Sequence, residues 1–261
     1  MKLLAANLDP KLLSRVEDAG LNASAPAQQL WIDGWLVRFS PGKAKRARCI
    51  NAVASGRLPV AERLSVCERV FAGAGLPLIV RITPFTEPTD LDAWLQQQGM
   101  HRFDDTRVMV LDSLSRWEKA SDDGNSTIQA IGLEAFAQRI GGMRGSHLAQ
   151  RQAHAERLLN SPVPFFAFQL HVDGDLVACG QIALDGEIAG LYDVFTVDGF
   201  RGRGYAQRLC HHLLYEAKAR GAQHAYLQVE AENLPARSAY FRLGFIDAYA
   251  YHYRAVEPAT A

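Results

Sequence analysis

The sequence predicts an α/β protein, an α+β arrangement around one mixed sheet, and three observations carry that expectation. Short apolar, β-branched and aromatic runs alternate with segments of helical periodicity along most of the chain. Asp-Gly turns at 33–34, 173–174 and 185–186 sit between strand-like runs and mark antiparallel hairpins. Near the C-terminal end, a strand, a glycine-rich turn and a helix lead into a second strand, the unit that forms a parallel pair with a helix on one face.

In order, Asp9-Pro10 supplies a cap and a first-turn proline for a helix carrying Leu12, Leu13 and Val16. Residues 22–29 form a small-residue loop. Residues 31–39 read as a strand or tight hairpin turning at Asp33-Gly34, with Trp31 and Trp35 expected in the core. A basic loop over 40–48 carries Lys43, Lys45, Arg46 and Arg48. A strand over 49–53 follows, then a helix over 59–74 with Val60, Leu64, Cys67 and Phe71 on one face. A strand over 76–82, a short helix over 90–98 and a strand over 103–111 close this half. Residues 115–126, polar and containing Asp122-Asp-Gly-Asn125, read as a linker between domains 1–114 and 127–261.

In the second half, helices are expected over 133–140 and 147–159, with glycines 141, 142 and 145 loosening their connection. Strands at 165–172, 176–184 and 187–197 follow. The helix after 204 shows Ala206, Leu209, Cys210, Leu213, Leu214 and Ala217 on one face. A strand over 225–229, a helix over 236–243 and a strand over 249–254 complete the chain. The two halves echo each other. Gly75 to Gly99 and Gly221 to Gly244 each enclose a strand and a short helix, over 24 and 23 residues. A tandem of similar domains is therefore expected, the first lacking a glycine-rich turn where the second has one.

The 261 residues suffice for about two domains, and 28 basic residues balance 28 acidic ones. That balance argues against a general nucleic-acid binder. No leader or membrane segment is legible, so a soluble cytoplasmic protein is expected, as a monomer or homodimer. Cys49, Cys67, Cys179 and Cys210 form no C-x-x-C pair and are expected as reduced thiols, with no metal site. His147, His154, His211 and His212 are expected in surface or capping roles.

The glycine turn Arg201-Gly202-Arg203-Gly204 opens the helix that begins at Tyr205. Amides at such a helix start lack partners and lie at the positive end of the helix dipole, which suits phosphate. The turn lacks the Gly-Lys-Ser/Thr ending of a P-loop, and Gln207 stands where a dinucleotide fingerprint needs its third glycine. Arg201-x-x-Gly204-x-Ala206 instead resembles the Arg/Gln-x-x-Gly-x-Gly/Ala loop of the GCN5-related N-acetyltransferase (GNAT) superfamily. Asn233, Ala236, Tyr240 and Gly244-Phe245 resemble the superfamily's next segment in the same spacing and order. The resemblance covers roughly residues 125–255.

The resemblance implies a GNAT-type fold in which the strand ending at Val197 splays from the strand ending at Val229. It implies binding of acetyl-CoA by Phe195, Thr196, Val197, Arg201, Gly202, Arg203, Gly204, Tyr205, Ala206 and Asn233. It implies acetyl transfer to a primary amine, with Tyr240 as the acid for the leaving thiolate. Asp193 and Glu230 are the candidate bases. Asn233 reads equally as a helix cap. A small-molecule amine is the expected acceptor. A protein lysine or N-terminus, or a non-enzymatic acetyl-CoA sensor, stays open beside it.

Overall fold

A computed structural model describes residues 7–40, 44–119 and 125–256. The first half runs α1 (Pro10–Ala23), β1 (Gln29–Ile32), β2 (Trp35–Arg38), β3 (Ile50–Ala52), α2 (Val60–Gly73), β4 (Val80–Ile82), α3 (Leu91–Gln97) and β5 (His101–Leu111). The second runs β6 (Ser126–Ile131), α4 (Leu133–Met143), α5 (Leu148–Leu159), β7 (Phe165–Val172), β8 (Asp175–Asp185), β9 (Ile188–Thr196), α6 (Tyr205–Ala219), β10 (His224–Glu230), α7 (Leu234–Leu243) and β11 (Ile246–Ala255). Two single-turn 3-10 helices, Lys45–Ala47 and Asp198–Phe200, punctuate the loops. No helix among the described residues is long and apolar enough to cross a membrane.

One eleven-stranded sheet runs β1-β2-β3-β4-β11-β5-β10-β9-β8-β7-β6. Its neighbours pair antiparallel except β3 with β4 and β9 with β10. Apart from β6, which has no counterpart, the order is symmetric about the β11–β5 pair. α2–β4–α3–β5 in the first half repeats as α6–β10–α7–β11 in the second. The repeated glycines have a common cause: Gly75, Gly99, Gly221 and Gly244 follow the four helices of that repeat with φ between 66° and 97°. A left-handed residue there closes the helix end at no Cβ cost. Each half also lends its last strand to the other. β5 lies between β10 and β11, and β11 between β4 and β5. The halves therefore share the middle of one sheet.

The two faces follow from strand alternation. On β5, Met109 and Leu111 join the core under α6, while Val108 and Val110 join the core under α1. α4 and α5 pack on the α1 side, where Phe136, Ile140 and Leu158 meet Ala23. α2 and α3 cover β3 and β4. α1 itself bridges the halves. Glu17 meets Arg81 of β4 and accepts from the Tyr249 hydroxyl of β11 at 2.8 Å, while the Asn22 amide donates to Asp185 of β8 at 2.7 Å.

Two sequence expectations are adjusted. The stretch read as linker ends inside β6, a weakly patterned strand at the sheet edge. Its Trp117 is buried beneath α6, held by Lys218, whose ammonium donates to the Ser115 and Trp117 carbonyls. Residues 120–124 of that stretch lie outside the described residues. Trp35 is core, with Arg63 4.7 Å above its ring, but Trp31 is 63% exposed because β1 is the edge strand. All four cysteines are buried and unpaired.

Gly180 of β8 sets how closely α6 seats on the sheet. A Cβ there would lie 3.2 Å from Leu213 and 3.3 Å from both Leu209 and Val194. Gly180→Val overpacks this contact and is expected to cost about 1–3 kcal/mol in chemical unfolding. An unchanged unfolding midpoint would show that α6 is not seated through Gly180.

Candidate active site

The site is made by a pairing that stops. β9 and β10 pair in parallel from Ile188/His224 to Leu191/Leu227. Beyond that point Tyr192 to Thr196 and Gln228 to Glu230 leave one another unpaired. The cause lies on the other edge of β9. Its register with β8 moves from Gln181↔Tyr192 to Cys179↔Phe195, so Asp193 and Val194 together oppose Gly180. This is a bulge, which bends the strand and sharpens its twist. Asp193 takes a left-handed φ of 51° to make it. The result is a V-shaped gap, the splay that the resemblance implied.

Asp193 is held there by three neighbours. Arg144, at the end of α4, donates to it at 2.7 Å, and Gln181 of β8 donates at 2.8 Å. His154 of α5 brings Nε2 to 3.3 Å. Burial opposes the charge on Asp193, but His154 and Arg144 outweigh it and hold the carboxyl well below the usual carboxylate range. Sequence reasoning gave His154 a surface or capping role and overlooked Arg144 and Gln181. No spacing rule links these three to Asp193, because the link is made by the bulge.

Past the open end of β9, the chain turns through Asp198–Phe200 into the glycine loop. Gly202 and Gly204 have φ of 77° and 81°, and a Cβ on either would meet no atom within 4 Å. Glycine is needed for the backbone conformation, and the space in front is open. Gly204 is the N-cap of α6, and no side chain caps the first turn. The amides at Tyr205 and Ala206 therefore start a helix with an open anion cradle. Arg201 is anchored to Asp198 at 2.7 Å and lies over the Phe195 ring; Arg203 lies over Phe200. The Val197 amide is spent on the Val177 carbonyl of β8. The Thr196 hydroxyl is buried with no partner among the described residues. An open cradle followed by an orphaned hydroxyl along an unpaired strand fits an extended ligand with a phosphate end, as coenzyme A has.

Tyr240, on α7, is half-buried beside Phe245, its ring centroid 6.0 Å away. Burial, with a smaller contribution from Cys210, raises its hydroxyl above the ordinary phenol range, so it stays protonated at neutral pH. Asn233 is the N-cap of α7 and accepts from the Ala236 amide at 3.3 Å. Glu230 ends β10 and is exposed.

The first half meets the same anion problem from inside. Before α2, the Asp33 carboxylate of the β1–β2 turn accepts from the amides of Arg57 at 2.8 Å and Leu58 at 2.7 Å, and pairs with Arg63 at 3.5 Å. The Leu58 amide, then the Arg57 amide and the nearby guanidiniums, lower its pKa against a desolvation cost. A Cβ on Gly56 would strike Asp33, its carbonyl oxygen standing only 2.2 Å away. The end of β3 is also closed, because the Glu87 amide donates to the Ala52 carbonyl at 2.8 Å.

Asp193→Asn removes the charge that gathers Arg144 and His154. It is expected to cost roughly 2–4 kcal/mol at neutral pH, toward the lower end of what breaking a buried ion pair costs because the side chain is 20% exposed. A carboxyl whose folded pKa is depressed stabilises above its unfolded value, near 3.9, and loses that contribution as pH falls through the folded value. The deficit of the variant should therefore shrink below about pH 4. Chemical unfolding at several pH values checks this; a deficit independent of pH would contradict it.

Residues 135–245 match the family model described as the Acetyltransferase (GNAT) family. The chain is 27% identical over 239 residues to the uncharacterized N-acetyltransferase YobR of Bacillus subtilis (strain 168), covering 89% of this chain and 94% of that protein. A 75-residue stretch is 35% identical to streptothricin acetyltransferase of Streptomyces lavendulae, 28% of this chain and 40% of that one. Among solved structures, a GCN5-related N-acetyltransferase from Kribbella flavida superposes with a TM-score of 0.68 at 15% identity, over 95% of this chain and 96% of that one. A tandem GNAT protein from the clavulanic acid biosynthesis pathway superposes with a TM-score of 0.62 at 12% identity, over 77% of this chain and 70% of that one. The V-shaped gap and the open glycine cradle lie within the segment that matches the GNAT family model, and the whole chain has a fold like that of solved GNAT proteins, one of them a tandem GNAT protein.

Proposed function

We propose that the second half transfers the acetyl group of acetyl-CoA to a primary amine of a small metabolite. The observation that carries this reading is the open, uncapped start of α6 at the mouth of the β9–β10 gap, with half-buried Tyr240 on the neighbouring helix. Amides from Gly202 to Ala206 hold the pyrophosphate, and Arg201 and Arg203 add charge-assisted contacts. The edge of β9 left unpaired by β10, around Phe195 and Thr196 and leading to Val197, lines the arm of the ligand, where the Thr196 hydroxyl finds its missing partner. Asn233 acts through α7, by capping the helix that carries Tyr240.

Acetyl-CoA supplies the activated thioester. An alkylammonium near pKa 10.4 is neutral in only about one molecule in 2500 at pH 7, a cost of roughly 4.6 kcal/mol. Glu230, exposed where β10 ends, takes that proton. Asp193 is already engaged by Arg144, Gln181 and His154, so its part is to hold the bulge. The neutral amine attacks the thioester carbonyl directly, and Tyr240 donates its proton to the departing thiolate. The first half binds no coenzyme A in this reading, since Asp33 occupies the amides before α2.

Release of free thiol from acetyl-CoA, across a panel of small amines, tests the proposal. Tyr240→Phe should lower kcat by about 10²–10⁴-fold with acetyl-CoA affinity unchanged. Unchanged kcat would remove Tyr240 from the reaction. Tight acetyl-CoA binding with no thiol release from any amine would favour a sensor instead.

A further inference from the structure

The sheet face that carries α1 holds more guanidinium than carboxylate. Arg38 and Arg81 are 2% and 3% exposed; Arg46 is partly buried beside them, and Arg157, also partly buried, lies near Arg46. Glu17 is taken by Arg81, and Asp193 by Arg144 and His154. Arg38, Arg46 and Arg157 have only neutral hydrogen-bond partners among the described residues, with Glu17 and Asp193 acting on Arg38 and Arg157 from further off. Arg38 donates to the Leu21 carbonyl at 2.8 Å and the Ser24 hydroxyl at 3.1 Å. Arg157 donates to the Ala23 carbonyl at 3.3 Å. Arg46 donates to the Gln228 side-chain oxygen, which also accepts from the Tyr251 hydroxyl at 2.9 Å. Burial lowers Arg38 to about 10, with Arg81 and Arg46 adding to it and Cys49 and Glu17 opposing it. Burial also lowers Arg157, opposed by Asp193, with Arg46 adding to it, whereas Arg46 itself is held above the ordinary arginine range, against burial, by Tyr251, Tyr192 and Tyr253.

This charge lies at the apex of the V. Gln228 is the first residue of β10 past the last parallel pair, as Tyr192 is on β9. Leu227 and Val229 face the α6 core, so Gln228 faces away from it, toward α1. Arg46 reaches this point from the β2–β3 connection, that is, from the first half. Cations drawn from water without a counter-charge are unfavourable, and an anion bound among them repays that cost. A guanidinium presents a planar fork that matches a carboxylate.

We propose that Arg46 and Arg157 bind the carboxylate of the acceptor, so that the acceptor is an amino acid and the first half takes part in selecting it. This rests on the acetyl-transfer reading for the amine but not for the carboxylate site itself. Calorimetry with the common α-amino acids and their decarboxylated amines, on the full chain saturated with coenzyme A, tests it. At least one amino acid should bind at least tenfold more tightly than its decarboxylated counterpart. Arg46→Gln should abolish that preference and Arg46→Lys keep part of it, with thermal melting showing that both variants fold. The carboxylate site is overturned if no amino acid binds wild type, if the decarboxylated amines bind as well, or if Arg46→Gln keeps the preference. Thiol release is followed separately. Amino-acid binding without thiol release would leave the carboxylate site standing and remove acetyl transfer. Release from simple amines with no amino-acid preference would do the reverse.

Discussion

The site depends on one interruption, the end of β9–β10 pairing after Leu191 and Leu227. A parallel pair left complete would bury its own amides and carbonyls and offer nothing to a ligand. The Asp193–Val194 bulge prevents completion, and the bulge is kept by an ionic clasp to α4, α5 and β8. The clasp costs desolvation, which its three contacts offset. The same clasp ties the α4–α5 loop to the gap, so the strand defect and the wall beside it are one feature.

The interlocked halves give that gap a rigid surround. β10 is backed along its other edge by β5, a strand of the first half, through Glu230↔Thr106. The open side of the V thus faces a fully paired strand, which resists collapse. The two halves also resolve the same helix-start problem in opposite ways. Before α2, Asp33 supplies the anion from within the chain; before α6, Gly202 and Gly204 leave the place open. The first half so arranged closes its own helix start, and its Arg46 reaches Gln228, just past the end of the β9–β10 pairing.

Much of this was legible in the sequence, for local reasons. The Asp-Gly turns, the four repeated glycines and the Arg201–Ala206 loop each express a backbone need that only certain residues meet. The helix cap of Asn233 was equally readable. What stayed hidden was non-local. The exchange of β5 and β11 pairs residues more than a hundred apart, and no periodicity reports which strand lies next to which. β6 was lost because an edge strand keeps little of the alternation that marks a half-buried one. Asp193 looked like a free base because its partners come from three separate elements. Asp33 looked like an ordinary turn residue because the amides it holds lie 24 and 25 positions away.

The most direct measurement is the stoichiometry of acetyl-CoA binding by calorimetric titration, in wild type and in Gly204→Glu. One site per chain, lost when a carboxylate is placed in the α6 cradle, is the expected result. Two sites would mean that Asp33 does not close the first half. No site, or one indifferent to Gly204→Glu, would contradict the open cradle as the place where the phosphate binds.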